Sequence, residues 1–88
     1  MTEPVNPSPR SGTEERLLVI WRDVLQNDAI KTDQDFVDLG GDSLAAMMCI
    51  SRVRAAFGTE LELEDFFYDE ATISRQAAII EKELTTRE

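Results

Sequence analysis

Histidine is absent from this sequence of 88 residues, and cysteine, tryptophan and tyrosine each occur once. Without histidine, the chain lacks the imidazole base of the common serine hydrolases, and one cysteine cannot form an internal disulfide. No apolar run approaches the roughly 20 residues that span a bilayer, and the N-terminus has no apolar signal segment. We therefore expect a cytoplasmic protein that is not an enzyme of this hydrolase type.

Basic residues are also scarce. Nine Lys and Arg stand against 18 Asp and Glu, which gives a formal net charge of −9. A surface of this sign repels phosphate backbones and anionic lipids and attracts basic protein surfaces. The charge predicts protein partners, with no nucleic acid and no membrane among them.

All three prolines lie near the N-terminus, at Pro4, Pro7 and Pro9, in a segment without apolar periodicity. We expect a disordered tail over residues 1–12. The remaining length supports one small core, so residues 13–88 are predicted to form a single domain.

Apolar residues recur at steps of three and four, which predicts helices. The predicted helices are, in chain order, about Thr13–Gln26 after a Ser11–Glu14 capping box, Ser43–Phe57 closed by Gly58, a short one at Glu64–Tyr68, and a last one capped by Thr72. Their apolar stripes are Leu17, Leu18, Trp21, Val24 and Leu25, then Ala46, Cys49, Ile50, Val53 and Phe57, and finally Ile73, Ala77, Ile80 and Leu84. The pattern predicts an all-α fold of four helices with a short third member.

A long loop over residues 27–41 joins the first two of these helices. Its apolar residues, which we expect to anchor it in the core, are Ile30, Phe36, Val37 and Leu39. Acidic residues alternate with them, but counting from Asp33 places Val37 and Leu44 where an EF-hand needs calcium ligands. We therefore expect no metal site.

Ser43 stands where this loop becomes the second helix. Gly40 and Gly41 remove side-chain bulk before it and allow backbone angles closed to other residues. A helix N-terminus favours a phosphodiester, because its free N–H groups carry partial positive charge. By itself, however, Ser43 could be only a helix cap.

The segment from Gly41 to Leu44, Gly-Asp-Ser-Leu, also matches a motif of serine esterases, but no histidine is present to act as the base.

The segment Asp35–Leu44, DFVDLGGDSL, resembles the signature of peptidyl carrier proteins, the thiolation domains of nonribosomal peptide synthesis. The resemblance covers about residues 14–84, including Ser51–Gly58 and, after it, Leu61, Leu63, Asp65 and Phe67. It implies an acyl-carrier-protein-like bundle in which Ser43 receives 4'-phosphopantetheine from coenzyme A. A magnesium-dependent phosphopantetheinyl transferase would attach the group at a site that includes Gly41, Asp42 and Leu44, with Asp42 serving the metal of the transferase.

The resemblance also implies a function. The thiol of the attached arm would hold an aminoacyl or peptidyl group as a thioester, and adenylation, condensation or tailoring enzymes would act on it. The protein would then be a substrate of its partners and no enzyme itself. From Met1, the short tail and the absence of a neighbouring domain we expect a free-standing carrier. A piece excised from a larger synthetase is the alternative that stays open, because such a piece can also begin with methionine. We also expect a monomer.

Two other interpretations stay open. An acyl carrier protein of fatty-acid or polyketide synthesis would share the arm and the bundle. The pair Gly40 and Gly41, together with Arg52 and Arg54, favours the peptidyl branch, because acyl carriers usually have fewer glycines and a more acidic second helix. An acidic helical adaptor without a prosthetic group is the other alternative.

The candidates for partner binding are Leu44, Met47, Met48, Arg52, Phe66 and Tyr68. Methionines suit a surface that must fit several partners, although packing within the bundle would explain Leu44, Met47 and Met48 equally well. Arg52 is explained either as a solvated charge or as a group that orients partners. Cys49 lies on the apolar stripe, so we expect a buried, unreactive thiol.

Overall fold

The structure, a computed structural model, describes residues 12–68 and 70–86. Within these ranges every regular element is helical. The elements are α1 at Gly12–Leu25, α2 at Ser43–Phe57, a 3₁₀ helix at Leu63–Phe66 and α3 at Ile73–Thr86. The all-α prediction is confirmed, and none of these helices is long and apolar enough to cross a bilayer. Residues 1–11 of the predicted tail, which include the capping residue Ser11, lie outside the described residues, whereas Gly12, the last residue of that predicted tail, is the first residue of α1.

The C-terminal end of α2 and the start of α3 each follow from a single residue that the sequence predicts as a cap. Gly58 takes a left-handed backbone with φ of 74° after α2, and its N–H donates to the carbonyl of Arg54 at 2.9 Å. Thr72 precedes α3, and its hydroxyl accepts a hydrogen bond from the N–H of Arg75 at 3.2 Å. Both predicted caps are confirmed.

The short third helix differs from its prediction. It is a single 3₁₀ turn at Leu63–Phe66, so Tyr68 lies beyond it. The Asp65 carboxylate accepts from the N–H of Glu62 at 2.8 Å, and the N–H of Asp65 donates to the carbonyl of Glu62 at 2.9 Å. Hydrogen bonds at this spacing close a 3₁₀ turn, because they tighten the chain to about three residues per turn.

An aromatic cluster lies at the centre of the core. Trp21 of α1, Phe36 of the long loop and Phe66 of the 3₁₀ helix are fully buried. The ring of Phe36 meets the other two edge to face, with centroids 5.0 Å from Trp21 and 4.9 Å from Phe66. Such pairs add about 0.5–1.5 kcal/mol each beyond the area they bury. The cluster fixes the long loop against α1.

The long loop is only partly anchored as predicted. Ile30 and Phe36 are buried and Leu39 is half-buried, but Val37 is 47% exposed, so its predicted place in the core is wrong. The N–H of Val37 donates to a carboxylate oxygen of Asp35 at 2.9 Å. Phe36 and Val37 are consecutive residues of this turn, and only one of the two side chains points inward.

Gln76 is a polar residue of the core that the apolar pattern did not reveal. It is fully buried on α3 between Ile73 and Ile80. Its amide nitrogen donates to the carbonyl of Asp65 at 3.1 Å, which joins α3 to the 3₁₀ helix. A buried amide with such a bond adds directional specificity where an aliphatic side chain would only fill space.

Candidate attachment site

Ser43 is the first helical residue of α2, and Asp42 before it is the cap. Asp42 has extended backbone angles, and its carboxylate accepts from the N–H of Ala45 at 2.9 Å. Its carbonyl accepts the first helical hydrogen bond, from the N–H of Ala46 at 2.9 Å. The alternative that Ser43 serves as the cap is therefore wrong. Ser43 is exposed, so its hydroxyl is accessible to another protein.

The two glycines before this helix are needed for different reasons. Gly40 has φ of 91°, in the region that side chains disfavour. The φ of Gly41 is not positive, but a Cβ there would lie 2.2–2.7 Å from ring carbons of Phe36. The expected special backbone angle is thus confirmed for Gly40 alone, and Gly41 is required by close approach to the core.

Backbone hydrogen bonds hold the two glycines before Ser43 in place. The N–H of Gly40 donates to the carbonyl of Val37 at 2.9 Å, and the N–H of Gly41 donates to the carbonyl of Phe36 at 3.0 Å. Since the Phe36 ring is packed between buried aromatic side chains, the position of Gly41 is set by the core. Ser43 therefore stands on a rigid base although it is exposed.

The geometry fits the attachment of a phosphodiester. The first turn of α2 contains no acidic residue, and Asp42, the cap just before it, opposes the partial positive charge of the free N–H groups. One carboxylate oxygen of Asp42 is engaged as the cap, and the carboxylate lies next to Ser43 in sequence. Elsewhere in residues 12–68 and 70–86, no three Asp, Glu, His or Cys side chains are grouped as ligands for a metal ion.

Three predicted partner residues lie on the exposed side of α2. The exposed fractions are 68% for Leu44, 57% for Met47 and 41% for Met48. Residues three and four apart share one side of a helix, so these side chains form one surface, which we call the apolar face. Packing within the bundle does not explain them. Tyr68 is also exposed, after the 3₁₀ helix.

Two other predicted partner residues are placed differently. Phe66 is fully buried in the aromatic cluster, so its predicted place on the partner surface is wrong. Of the two apolar residues that follow Asp65, the 3₁₀ turn directs Phe66 fully inward and leaves Phe67 half-buried. Arg52 is exposed, but its guanidinium forms an ion pair with Asp23 of α1. An exposed pair of this kind contributes only about 0–1 kcal/mol.

Cys49 is fully buried on the inner side of α2. Burial raises the pKa of its thiol from 9.0 to about 12, against a smaller opposite effect of the Arg52 charge. Because the thiolate is the reactive form, this side chain is inert at neutral pH. The prediction of a buried structural thiol is confirmed.

The comparison with protein families gives one clear result. The model described as "Phosphopantetheine attachment site" matches residues 15–80. A linear gramicidin synthase protein from Brevibacillus parabrevis is 44% identical over 73 residues, which are 81% of this chain and 1% of that protein. Surfactin synthase subunit 1 from Bacillus subtilis (strain 168) is 42% identical over 60 residues, which are 68% of this chain and 2% of that protein.

A solved structure shows the same fold. It is a chain in the complex of the phosphopantetheine transferase Sfp with coenzyme A and a peptidyl carrier protein. The TM-score is 0.80 at 29% sequence identity, and the match covers 85% of this chain and 96% of the other. The present chain spans only 1–2% of the length of the two synthetases above. That it is free-standing stays a prediction.

These matches and the site lead to one assignment. The chain belongs to the phosphopantetheine attachment family, whose model covers three quarters of its length, and within that family it is a peptidyl carrier domain. Its prosthetic group is a covalent 4'-phosphopantetheine that derives from coenzyme A.

Proposed function

We propose that Ser43 is the attachment residue and that the domain holds an aminoacyl or peptidyl group there for enzymes of nonribosomal peptide biosynthesis. The observation that carries this proposal is the exposed hydroxyl of Ser43 at the first position of α2, where Asp42 already serves as the cap. The bound prosthetic group supplies a thiol, on a flexible tether, that forms the thioester.

The residues around Ser43 favour modification by a separate enzyme. The N-terminus of α2 provides partial positive charge beside the future phosphodiester. Asp42 places a carboxylate next to Ser43, where it can contact the magnesium ion of a transferase. The described residues contain no histidine that would act as a base, so we assign the chemistry to the partner and the presentation of the hydroxyl to this domain.

The apolar face supports a proposal about partners. Leu44, Met47 and Met48 extend from Ser43 along one side of α2 as exposed apolar side chains, in a chain whose formal net charge is −9. We assign this face, with Tyr68, to contacts with the transferase and with adenylation, condensation or tailoring enzymes. We also propose a cytoplasmic location for the domain.

Mass spectrometry tests the attachment directly. After incubation with coenzyme A, magnesium and a promiscuous phosphopantetheinyl transferase, the protein should gain about 340 Da on a single residue. Ser43→Ala should abolish the gain. The matched control is Ser51→Ala, because Ser51 is also an exposed serine of α2, and this variant should gain the full mass. An unmodified wild-type protein, or a gain that persists in Ser43→Ala, would contradict the proposal.

A loading assay tests the class of cargo. We expect the modified protein to accept an amino acid from an adenylation enzyme in the presence of ATP, with formation of a thioester. Efficient loading by a malonyl transferase, without any aminoacyl loading, would instead identify an acyl carrier protein of fatty-acid or polyketide synthesis.

A further inference from the structure

The carboxylate of Asp35 joins two distant segments of the chain. One oxygen accepts from the N–H of Val37 at 2.9 Å, within the long loop. The other accepts from the N–H of Ala71 at 3.1 Å, 36 residues further along the sequence. The N–H of Phe36 donates to the carbonyl of Ala71 at 3.0 Å, so both backbone groups of Ala71 are bound to the loop. We call these contacts the Asp35 bridge.

The Asp35 bridge continues toward Ser43 through packed groups. The N–H of Phe36 is part of the bridge, and the carbonyl of Phe36 accepts a hydrogen bond from the N–H of Gly41 at 3.0 Å. The ring of Phe36 occupies the space that a Cβ of Gly41 would need. Gly41 is two residues before Ser43. Ala71 is buried directly before Thr72, the cap of α3, so the bridge fixes the approach to α2 against the start of α3.

We infer that Asp35 is a positioning residue for the modification of Ser43. Asp35 does not touch Ser43 and acts through Phe36 and Gly41. In the reaction, the Ser43 oxygen bonds to the phosphorus that bears the pantetheine arm of coenzyme A, and the diphosphate P–O bond breaks. Adenosine 3',5'-bisphosphate leaves with the electron pair, and the hydroxyl proton passes to the transferase. This inference rests on the proposed attachment at Ser43.

The bridge should affect turnover more than affinity. Transfer requires the hydroxyl in line with the breaking bond, and a displacement of about 1 Å can cost about 100-fold in rate. The apolar face, through which we propose that the transferase binds, lies on the solvent side of α2 and outside the bridge. Loss of the bridge should therefore lower kcat and leave KM for the carrier nearly unchanged.

The test compares Asp35→Ala with Asp38→Ala. Asp38 is an exposed acid of the same loop that is not part of the bridge, so both variants change the charge equally. We expect kcat for transfer from coenzyme A to fall about 10- to 100-fold in Asp35→Ala, with KM for the carrier within about twofold. The amide NMR signals of Gly41 and Ser43 should shift in the same variant. Asp38→Ala should leave all three measurements at wild-type values.

Two further variants separate positioning from stability. Ile80→Val removes a methylene from the buried side of α3, away from the bridge, and should lower Tm without changing kcat. Asp35→Asn keeps one acceptor oxygen and should restore part of the rate, to within about fivefold of wild type. It also keeps the test valid if Asp35→Ala does not fold. Each rate is measured at a temperature where circular dichroism shows full helicity.

Three results would overturn the inference: a kcat of both folded Asp35 variants equal to that of Asp38→Ala, an equal fall of kcat in Ile80→Val, or unmoved signals of Gly41 and Ser43. These outcomes differ from failure of the proposed attachment. In that case the wild-type protein itself would remain unmodified, or Ser43→Ala would still gain mass.

Discussion

The two sides of α2 are both apolar, yet only one of them is covered by the rest of the domain. Ala46, Cys49 and Val53 are fully buried against the core, whereas the apolar face is open to solvent. Burying a large apolar side chain is worth about 1.5–3 kcal/mol. Burial of the inner side therefore stabilises the folded domain. Burial of the apolar face against another protein would contribute a similar free energy per side chain to association.

The strongest test of this difference places an acid on each side at neighbouring positions. Cys49→Asp puts a carboxylate at a fully buried site and should lower the free energy of unfolding by at least about 3 kcal/mol. Met48→Asp puts the same group on the apolar face and should change it by no more than about 0.5 kcal/mol. Urea denaturation followed by circular dichroism measures both. Equal losses would show that the two sides do not differ.

The next largest effect on stability concerns the two glycines before α2. Gly41→Ala forces the Phe36 ring to move and should destabilise the domain by about 1–3 kcal/mol, as for other overpacked sites. Gly40→Ala meets no neighbouring atom and should cost only about 1–2 kcal/mol, through its left-handed backbone. Differential scanning calorimetry compares the two variants. The interpretation fails if Gly41→Ala melts like wild type.

Raising the pH from 8 to 10 gives a smaller effect on the inner side. The Cys49 thiol keeps its proton up to about pH 12 in the folded state, whereas an unfolded thiol loses it near 9.0. Stability from this group is therefore complete below pH 9 and is lost between pH 9 and 12, at about 1.4 kcal/mol per pH unit. Urea titrations at pH 8 and 10 should show this loss in wild type, and Cys49→Ala should lack it. If the free energy of unfolding fell equally with pH in both proteins, the result would contradict a buried thiol with a raised pKa.

The smallest effect on stability belongs to the apolar face. Met47→Glu and Leu44→Glu should leave the free energy of unfolding within about 0.5 kcal/mol of wild type. They should nevertheless slow loading by a partner enzyme by about tenfold, which corresponds to 1.4 kcal/mol. Val19→Glu is the control, because Val19 is an equally exposed apolar residue on α1. Extensive unfolding of the Met47 or Leu44 variant would place that side chain in the core instead.

Regular periodicity and caps made the helices predictable. Both bounds of α2 are those expected from the sequence, because Asp42 and Gly58 end the helix by local hydrogen bonds. Irregular segments are harder to predict, because they have no periodicity that indicates which of two adjacent apolar side chains is buried. Val37 was expected inside and is exposed, and Phe66 was expected outside and is buried.

Contacts between distant residues explain what else could not be predicted. The Asp35 bridge joins residues 36 positions apart, and no local pattern links an aspartate of a loop to the backbone of Ala71. The buried amide of Gln76 depends likewise on where the 3₁₀ turn presents the carbonyl of Asp65. The position of Ser43 at a loop-to-helix junction was readable from sequence, but the support beneath it required the fold.

The separation of roles between Asp42 and Ser43 has a thermodynamic consequence. Since the aspartate alone closes the start of α2, esterification of the serine hydroxyl breaks no hydrogen bond of the helix. Attachment of the arm therefore costs no helical hydrogen bond, and the partial positive charge at the start of α2 favours the phosphodiester in the folded state. One copy can pass through repeated biosynthetic cycles while α2 keeps its cap whether or not the arm is attached.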